Sequence, residues 1–162
     1  MQVGSSGVGR KDIIMIERDR YDSLFQYYGE IYGFDWQALK AQAKAESNMD
    51  STAVSPVGAK GLTQFMDSTW VEWQTGEKNG VPDKHLDPFN PEWSIRAQAA
   101  YMAWLQKQTG GDLYNTLIAY NWGLGNYRKW SSGFKKELPD ETKGYIKRIY
   151  GILNMEIPEI AI

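Results

Sequence analysis

The 162-residue chain has no cysteine, which excludes disulfides and thiolate chemistry and leaves its redox compartment open. Histidine is nearly absent as well. With His85 alone, histidine-rich zinc sites are impossible, and a Ser-His-Asp triad could be built only through that residue. His85 lies in a polar Lys-His-Leu-Asp-Pro turn and reads as a surface loop residue. Long apolar runs are also missing. The longest near the start, Ile13 to Ile16, is too short for a signal-peptide core or a membrane span, so the chain is expected to be made in the cytoplasm without a signal peptide and not to insert into membranes. Nor does charge of one sign dominate. With 18 Lys and Arg against 20 Asp and Glu, the net charge of −2 creates no basic field, and nucleic acid and anionic membrane surfaces are poor candidate partners.

What the chain does contain is globular and aromatic. Hydrophobic residues make up 42% and charged residues 23%, with 7 Trp and 10 Tyr. A chain of this length fits one domain and should bury about 70% of its unfolded surface, enough for a core without staples. The rings could line a carbohydrate groove, although for any single Trp the core is the favoured place. The first dozen residues are rich in Gly and Ser and lack periodicity. The division read from the sequence is a flexible arm over 1–17 and a folded domain over 18–162.

Helical spacing accounts for most of that domain. Tyr21, Leu24, Phe25, Tyr28, Ile31 and Tyr32 recur at intervals of three and four over 18–33, and Gly33 supplies the stop. Asp35 is a good N-cap for 36–47, where Trp36, Leu39 and Ala43 make an apolar stripe and Ala38, Ala41 and Ala45 a second face for close packing. The 51–60 stretch reads as loop, and 61–76 as short helical turns capped by Ser68 or Asp67. The Pro- and Gly-containing 77–91 segment is the longest irregular stretch and could form one lip of a groove. Asn90 and Pro91 then start a helix running to about Thr109. Apolar residues on two of its sides mark this helix as central and largely buried. Asp112 caps the next, in which Leu113, Leu117 and Tyr120 share a stripe beside Asn121. A last helix over 138–153 carries Leu138, Glu141, Tyr145, Ile149 and Ile152 on one face. The expected class is an all-α bundle of about six or seven helices.

Within this pattern Glu46 is out of place. It falls where the 36–47 helix stops, and the carbonyl end of a helix disfavours a carboxylate by roughly 0.3 to 1 kcal/mol. It also lies on the edge of the apolar stripe. Both effects disfavour the charged form, so its pKa should rise toward that of a general acid working near neutral pH. The alternative is an exposed carboxylate at a fraying helix end.

From Glu46 to Thr69, without a gap, the order Glu-Ser, Ala53, Ser55, Gly58-Ala59, Gly61-Leu62, Gln64, Met66 and Thr69 resembles the signature of the soluble lytic transglycosylases. These are relatives of goose-type lysozymes that cleave bacterial peptidoglycan. Thr63 stands where Met is common, and Asp67 where Pro is common. Ala119-Tyr120-Asn121-Trp122-Gly123 is similar to a second signature, with Trp122 where a small residue is usual, and Glu141-Thr142 to Tyr145 to a third. The resemblance covers about 21–151. It implies a lysozyme-like bundle with a substrate groove between the Glu46 loop region and the C-terminal helices. In that mechanism Glu46 is the general acid and then the base, while the substrate's N-acetyl carbonyl stabilises the anomeric carbon. Ser55, Gln64, Tyr120, Asn121 and Tyr145 would hold the N-acetyl and peptide groups, and Phe65 and Met66 would shape the apolar side. Trp122 would add a stacking ring. Glu141 would approach the acid's pocket, although a first-turn carboxylate favoured by the helix dipole is the competing reading.

The implied partner is the peptidoglycan glycan strand, cut by a monomer at the MurNAc-GlcNAc β-1,4 bond, with no metal or organic cofactor. With no export segment read from the sequence, a bacteriophage lysin or virion-associated enzyme fits best. A hydrolase would need a second carboxylate. Asp50 and Asp67 read as turn and cap residues, and Glu141, the better placed candidate, has its counterpart in a transglycosylase, so attack by the sugar's own 6-hydroxyl and 1,6-anhydromuramic ends are expected. The alternatives are a hydrolytic lysozyme of the goose type and a catalytically inactive wall-binding module.

Overall fold

Apolar spacing and left-handed stops set the helices. The computed structural model describes residues 19–135 and 137–158, so the expected arm over 1–17 lies outside the described residues. Helix α1, Asp22–Tyr32, buries Phe25 and Tyr28, and Gly33 closes it at φ 72, a conformation that would strain a side chain. Helix α2, Trp36–Ser47, is capped as expected, with the Asp35 side chain accepting from the Gln37 amide. Its buried face combines Ala38, Leu39, Ala41 and Ala43 with a glutamine, Gln42.

The 61–76 stretch is only half helical. Gly61 (φ 79) and Gln64 (φ 56) are left-handed, which an α-helix cannot accommodate, so 61–66 forms a turn held by isolated antiparallel bridges from Lys60 to Val54 and to Phe65. Helix α3, Asp67–Trp73, follows. Neither Ser68 nor Asp67 caps it. Met66 occupies the cap position without a side-chain bond, and Asp67 sits in the first turn, where it pairs with Lys60 at 2.9 Å.

Helix α4, Pro91–Gln108, is the central one, packing against α1, α2, α3 and the next helix. Asn90 caps it, its side chain accepting from the Trp93 amide at 3.1 Å. Helix α5, Leu113–Trp122, is capped by Asp112, and Gly123 at φ 95 separates it from α6, Leu124–Ser131, a helix absent from the sequence reading. Helix α7, Asp140–Ile152, packs on α2 and α5. The described residues thus form seven helices.

The core has two parts. The larger gathers Phe25, Leu39, Ile95, Met102, Leu117 and Ile146 with other side chains from α1, α2, α4, α5 and α7. The smaller seats the loop side through Phe65, Trp70, Trp73, Ala97 and Ala100. Tyr32, Tyr101 and Trp104 pack against both. The irregular 77–91 stretch is tied down by Trp70 Nε1 donating to the Leu86 carbonyl (2.8 Å) and the Leu86 amide donating to Gln74 Oε1 (2.9 Å), while His85 is exposed.

Candidate active site

Glu46 occupies the last turn of α2 and is half-buried, so its side chain remains reachable while the carboxyl is crowded. Burial is the largest influence and pushes its pKa from an ordinary 4.5 to about 7. Two groups of α7 pull the other way: the Tyr145 hydroxyl, hydrogen-bonded to the carboxyl, and the Arg148 charge. Glu141, also on α7, lies near enough for its charge to raise the Glu46 pKa further. The carboxyl is therefore shared between its acid and base forms near neutrality.

Local bonds place the segment that follows. Ser47 Oγ donates to the Ala43 carbonyl (3.1 Å) and the Leu62 carbonyl (2.8 Å), stitching the loop to the helix that carries Glu46. Ser55 shapes its own turn: its Oγ accepts from the Ala59 amide at 3.0 Å, and its amide donates to the Ala59 carbonyl at 2.9 Å. Gln64 Nε2 donates to the Gly61 carbonyl (2.9 Å) and the Ala53 carbonyl (3.2 Å), which leaves its amide oxygen for the groove that Gln64 lines. Thr63 is fully buried, and its hydroxyl bonds Ser94 Oγ on α4 at 2.8 Å, satisfying a group that a methionine would not bring.

A groove of about 240 Å³ runs along Gln64, Phe65, Met66 and Thr69 on one side and Tyr101, Tyr120, Asn121, Trp122 and Gly123 on the other. Glu46 is not among its lining residues. It meets the groove through Tyr120, whose phenol is held well above its ordinary pKa first by burial and then by the Glu46 charge. The Tyr120 hydroxyl donates to the Thr63 carbonyl at 2.8 Å, tying α5 to the loop. Asn121 Oδ1 accepts from Thr142 Oγ1 at 2.8 Å, tying α5 to α7. Phe65 is buried against the Trp70, Tyr101 and Tyr120 rings and is a structural wall, whereas Met66 is exposed at the lip. Lys135 stands over the Trp122 ring, 5.1 Å from its centroid.

The structure thus gathers Glu46 with Tyr120, Tyr145 and Glu141, and Gln64, Phe65, Met66, Tyr120 and Asn121 along one groove, with Ser55 in the turn behind. Glu141 differs from its sequence reading. It lies on the exposed side of the first turn of α7, in place of an apolar stripe, and touches Glu46 only through its field. The sequence reading missed Gln42 and Gln98, both fully buried. Their only signal was Gln42's position one helical turn before Glu46. Among the described residues there is no group of three His, Cys, Asp or Glu side chains placed to hold a metal ion, and no helix long and apolar enough to cross a membrane.

The sequence profile described as "Transglycosylase SLT domain" matches residues 23–142. Peptidoglycan transglycosylase gp16 of Escherichia phage T7 is 31% identical over 137 residues, covering 82% of this chain and 10% of that protein. Membrane-bound lytic murein transglycosylase F of Maricaulis maris is 37% identical over 113 residues, covering 66% of this chain and 23% of that protein. Among solved structures, the 70 kDa soluble lytic transglycosylase of Escherichia coli superposes with a TM-score of 0.68 at 28% identity, over 82% of this chain and 23% of that one. The chain therefore spans between a tenth and a quarter of the length of these relatives.

Proposed function

The chain belongs to the transglycosylase SLT domain family, and from that premise we propose that it is a peptidoglycan-cleaving lytic transglycosylase whose catalytic domain is 18–162. Its substrate is the glycan strand, cut at the β-1,4 bond between N-acetylmuramic acid and N-acetylglucosamine. The observation that carries this reading is one crowded carboxyl, Glu46, with a pKa of about 7 and a tyrosine hydroxyl bonded to it. Such a group is half protonated near pH 7, and it can give a proton and take one back.

The steps balance on that single group. Glu46 protonates the glycosidic oxygen as the bond from the anomeric carbon breaks, and the substrate's N-acetyl carbonyl stabilises the carbon left behind. The Glu46 carboxylate then removes the proton of the muramic 6-hydroxyl, whose oxygen bonds to the anomeric carbon and closes the 1,6-anhydro ring. Glu46 ends as it began. Gln64, Tyr120, Asn121 and Ser55 hold the N-acetyl and peptide groups, while the buried Tyr145 holds the Glu46 carboxyl and not a substrate group. Phe65 and Met66 form the apolar side, and Trp122 offers a face for stacking. Ring closure by an attached hydroxyl is favoured over capture of a water by its lower entropic cost.

Mass spectrometry of muropeptides released from purified walls tests the product: anhydro ends are expected, and each hydrolytic end would weigh one water more. Predominantly hydrated ends would favour a lysozyme reading with Glu141, the carboxylate whose charge reaches Glu46, as the base. The phage source of the T7 relative supports a phage-borne route to the wall, where this chain acts as a monomer. A cleaved leader on a longer native precursor would overturn that route.

A further inference from the structure

We propose that Gln42 and Gln98 are positioning residues that oblige the Tyr145 hydroxyl to donate its proton to Glu46. The proposal deepens the reading of Glu46 as the acid and rests on it. Both glutamines are fully buried, in a region where α2 and α4 otherwise meet through alanines and large apolar side chains. Buried amides are retained where their bonds are used.

The direction of these bonds is fixed at one end. Gln98 Nε2 donates to the Leu39 main-chain carbonyl at 3.0 Å and to Gln42 Oε1 at 2.8 Å. A carbonyl can only accept, so turning the Gln98 amide over would set oxygen against oxygen. With Oε1 of Gln42 engaged, its Nε2 faces the Tyr145 hydroxyl at 2.9 Å and the Met102 sulfur at 3.5 Å. The phenol oxygen thus accepts from Gln42. Its single proton is left for its other partner, the Glu46 carboxyl. Gln98 Oε1 itself is buried without a hydrogen bond, a cost consistent with its amide being held in this orientation.

The chain runs from α4 through α2 to α7 and back to the last turn of α2. The ionisable groups acting on Glu46 are Tyr145, Arg148 and Glu141 from α7, with Tyr120 of α5 coupled to it. Gln42 and Gln98 carry no charge and reach the carboxyl only through the Tyr145 hydroxyl. Without them that hydroxyl can rotate and accept from the protonated acid, and the carboxylate loses a donor.

Titration of the Glu46 carboxyl by NMR tests this in the intact protein, using carbon-13 glutamate and identifying the resonance by its absence from Glu46→Gln. Gln42→Met and Gln98→Met, similar in length but apolar, should each raise the midpoint by about one unit, a tenfold fall in Ka. Tyr145→Phe should raise it too, and Gln42→Met added to Tyr145→Phe should do nothing more. A merely structural role would give additive or absent shifts, either of which overturns the proposal. Wild-type protein gives a second reading that needs no variant to fold. Its Tyr145 hydroxyl proton, shielded from exchange, should shift with the Glu46 titration, and a proton indifferent to that titration overturns the proposal as well. None of these readouts needs turnover, so absence of wall cleavage would sink the proposed function and leave this question separately answerable.

Discussion

The raised pKa of Glu46 makes stability depend on its protonation. Its folded pKa of about 7 lies above the ordinary 4.5, so the native state holds its proton more tightly than the unfolded chain. The resulting stability is complete below 4.5, declines as pH rises, and is lost once pH passes 7. A shift of that size corresponds to at most about 3 kcal/mol, less whatever solvent reaches the half-buried side chain. Glu46→Gln should therefore unfold at higher urea than wild type at pH 8 and at nearly the same urea at pH 4. The same variant should lose at least about 10²-fold in wall clearing, with its circular dichroism unchanged. In wild type, clearing should fall above pH 7 as one proton leaves Glu46; an unchanged rate up to pH 9 would exclude it as the acid. The crowded setting of Glu46 was legible in the sequence because a carboxylate at a carbonyl end beside an apolar stripe is penalised. Gln42 and Gln98 were not, since nothing along a helix says whether an amide faces water or another amide until the partner helix is known.

At the scale of elements, legibility followed the caps. The helices after Asp35, Asn90 and Asp112 begin where those side chains bond the first-turn amides. Asn90→Ala should cost about 1 kcal/mol in chemical denaturation and leave the groove intact. The 61–66 turn was read as helical because its apolar residues fit that spacing, while the left-handed backbone at Gln64 had no glycine to announce it. Helix α6 was overlooked because it is short, half exposed, and separated from α5 by one glycine. Gly61 is the turn's most constrained position. Its φ of 79 strains any side chain, and a Cβ there would collide with the Pro88 carbonyl. Gly61→Ala should destabilise by more than about 1 kcal/mol and depress clearing disproportionately, because the turn that seats Gln64 can no longer close onto the 77–91 segment. Melting temperature and activity measured on one preparation would check both effects.

On the scale of the whole molecule, the all-α class was legible from periodicity, but the division of the core into two clusters was not. It depends on rings far apart in sequence. Tyr101 packs against both clusters and lies tilted beside Trp73 at 5.2 Å, Phe65 at 6.0 Å and Tyr120 at 5.4 Å. Tyr101→Ala should cost about 3 to 5 kcal/mol and break the single unfolding transition into two, seen as tryptophan fluorescence changing before far-ultraviolet circular dichroism. The same welded rings have a thermodynamic consequence. Phe65, Tyr101 and Tyr120 form the groove wall and are already fixed by one another, so a saccharide arriving there freezes little of the protein. Its association should register in a calorimeter as released heat with a negative change in heat capacity, and with only a small entropic penalty from the receptor.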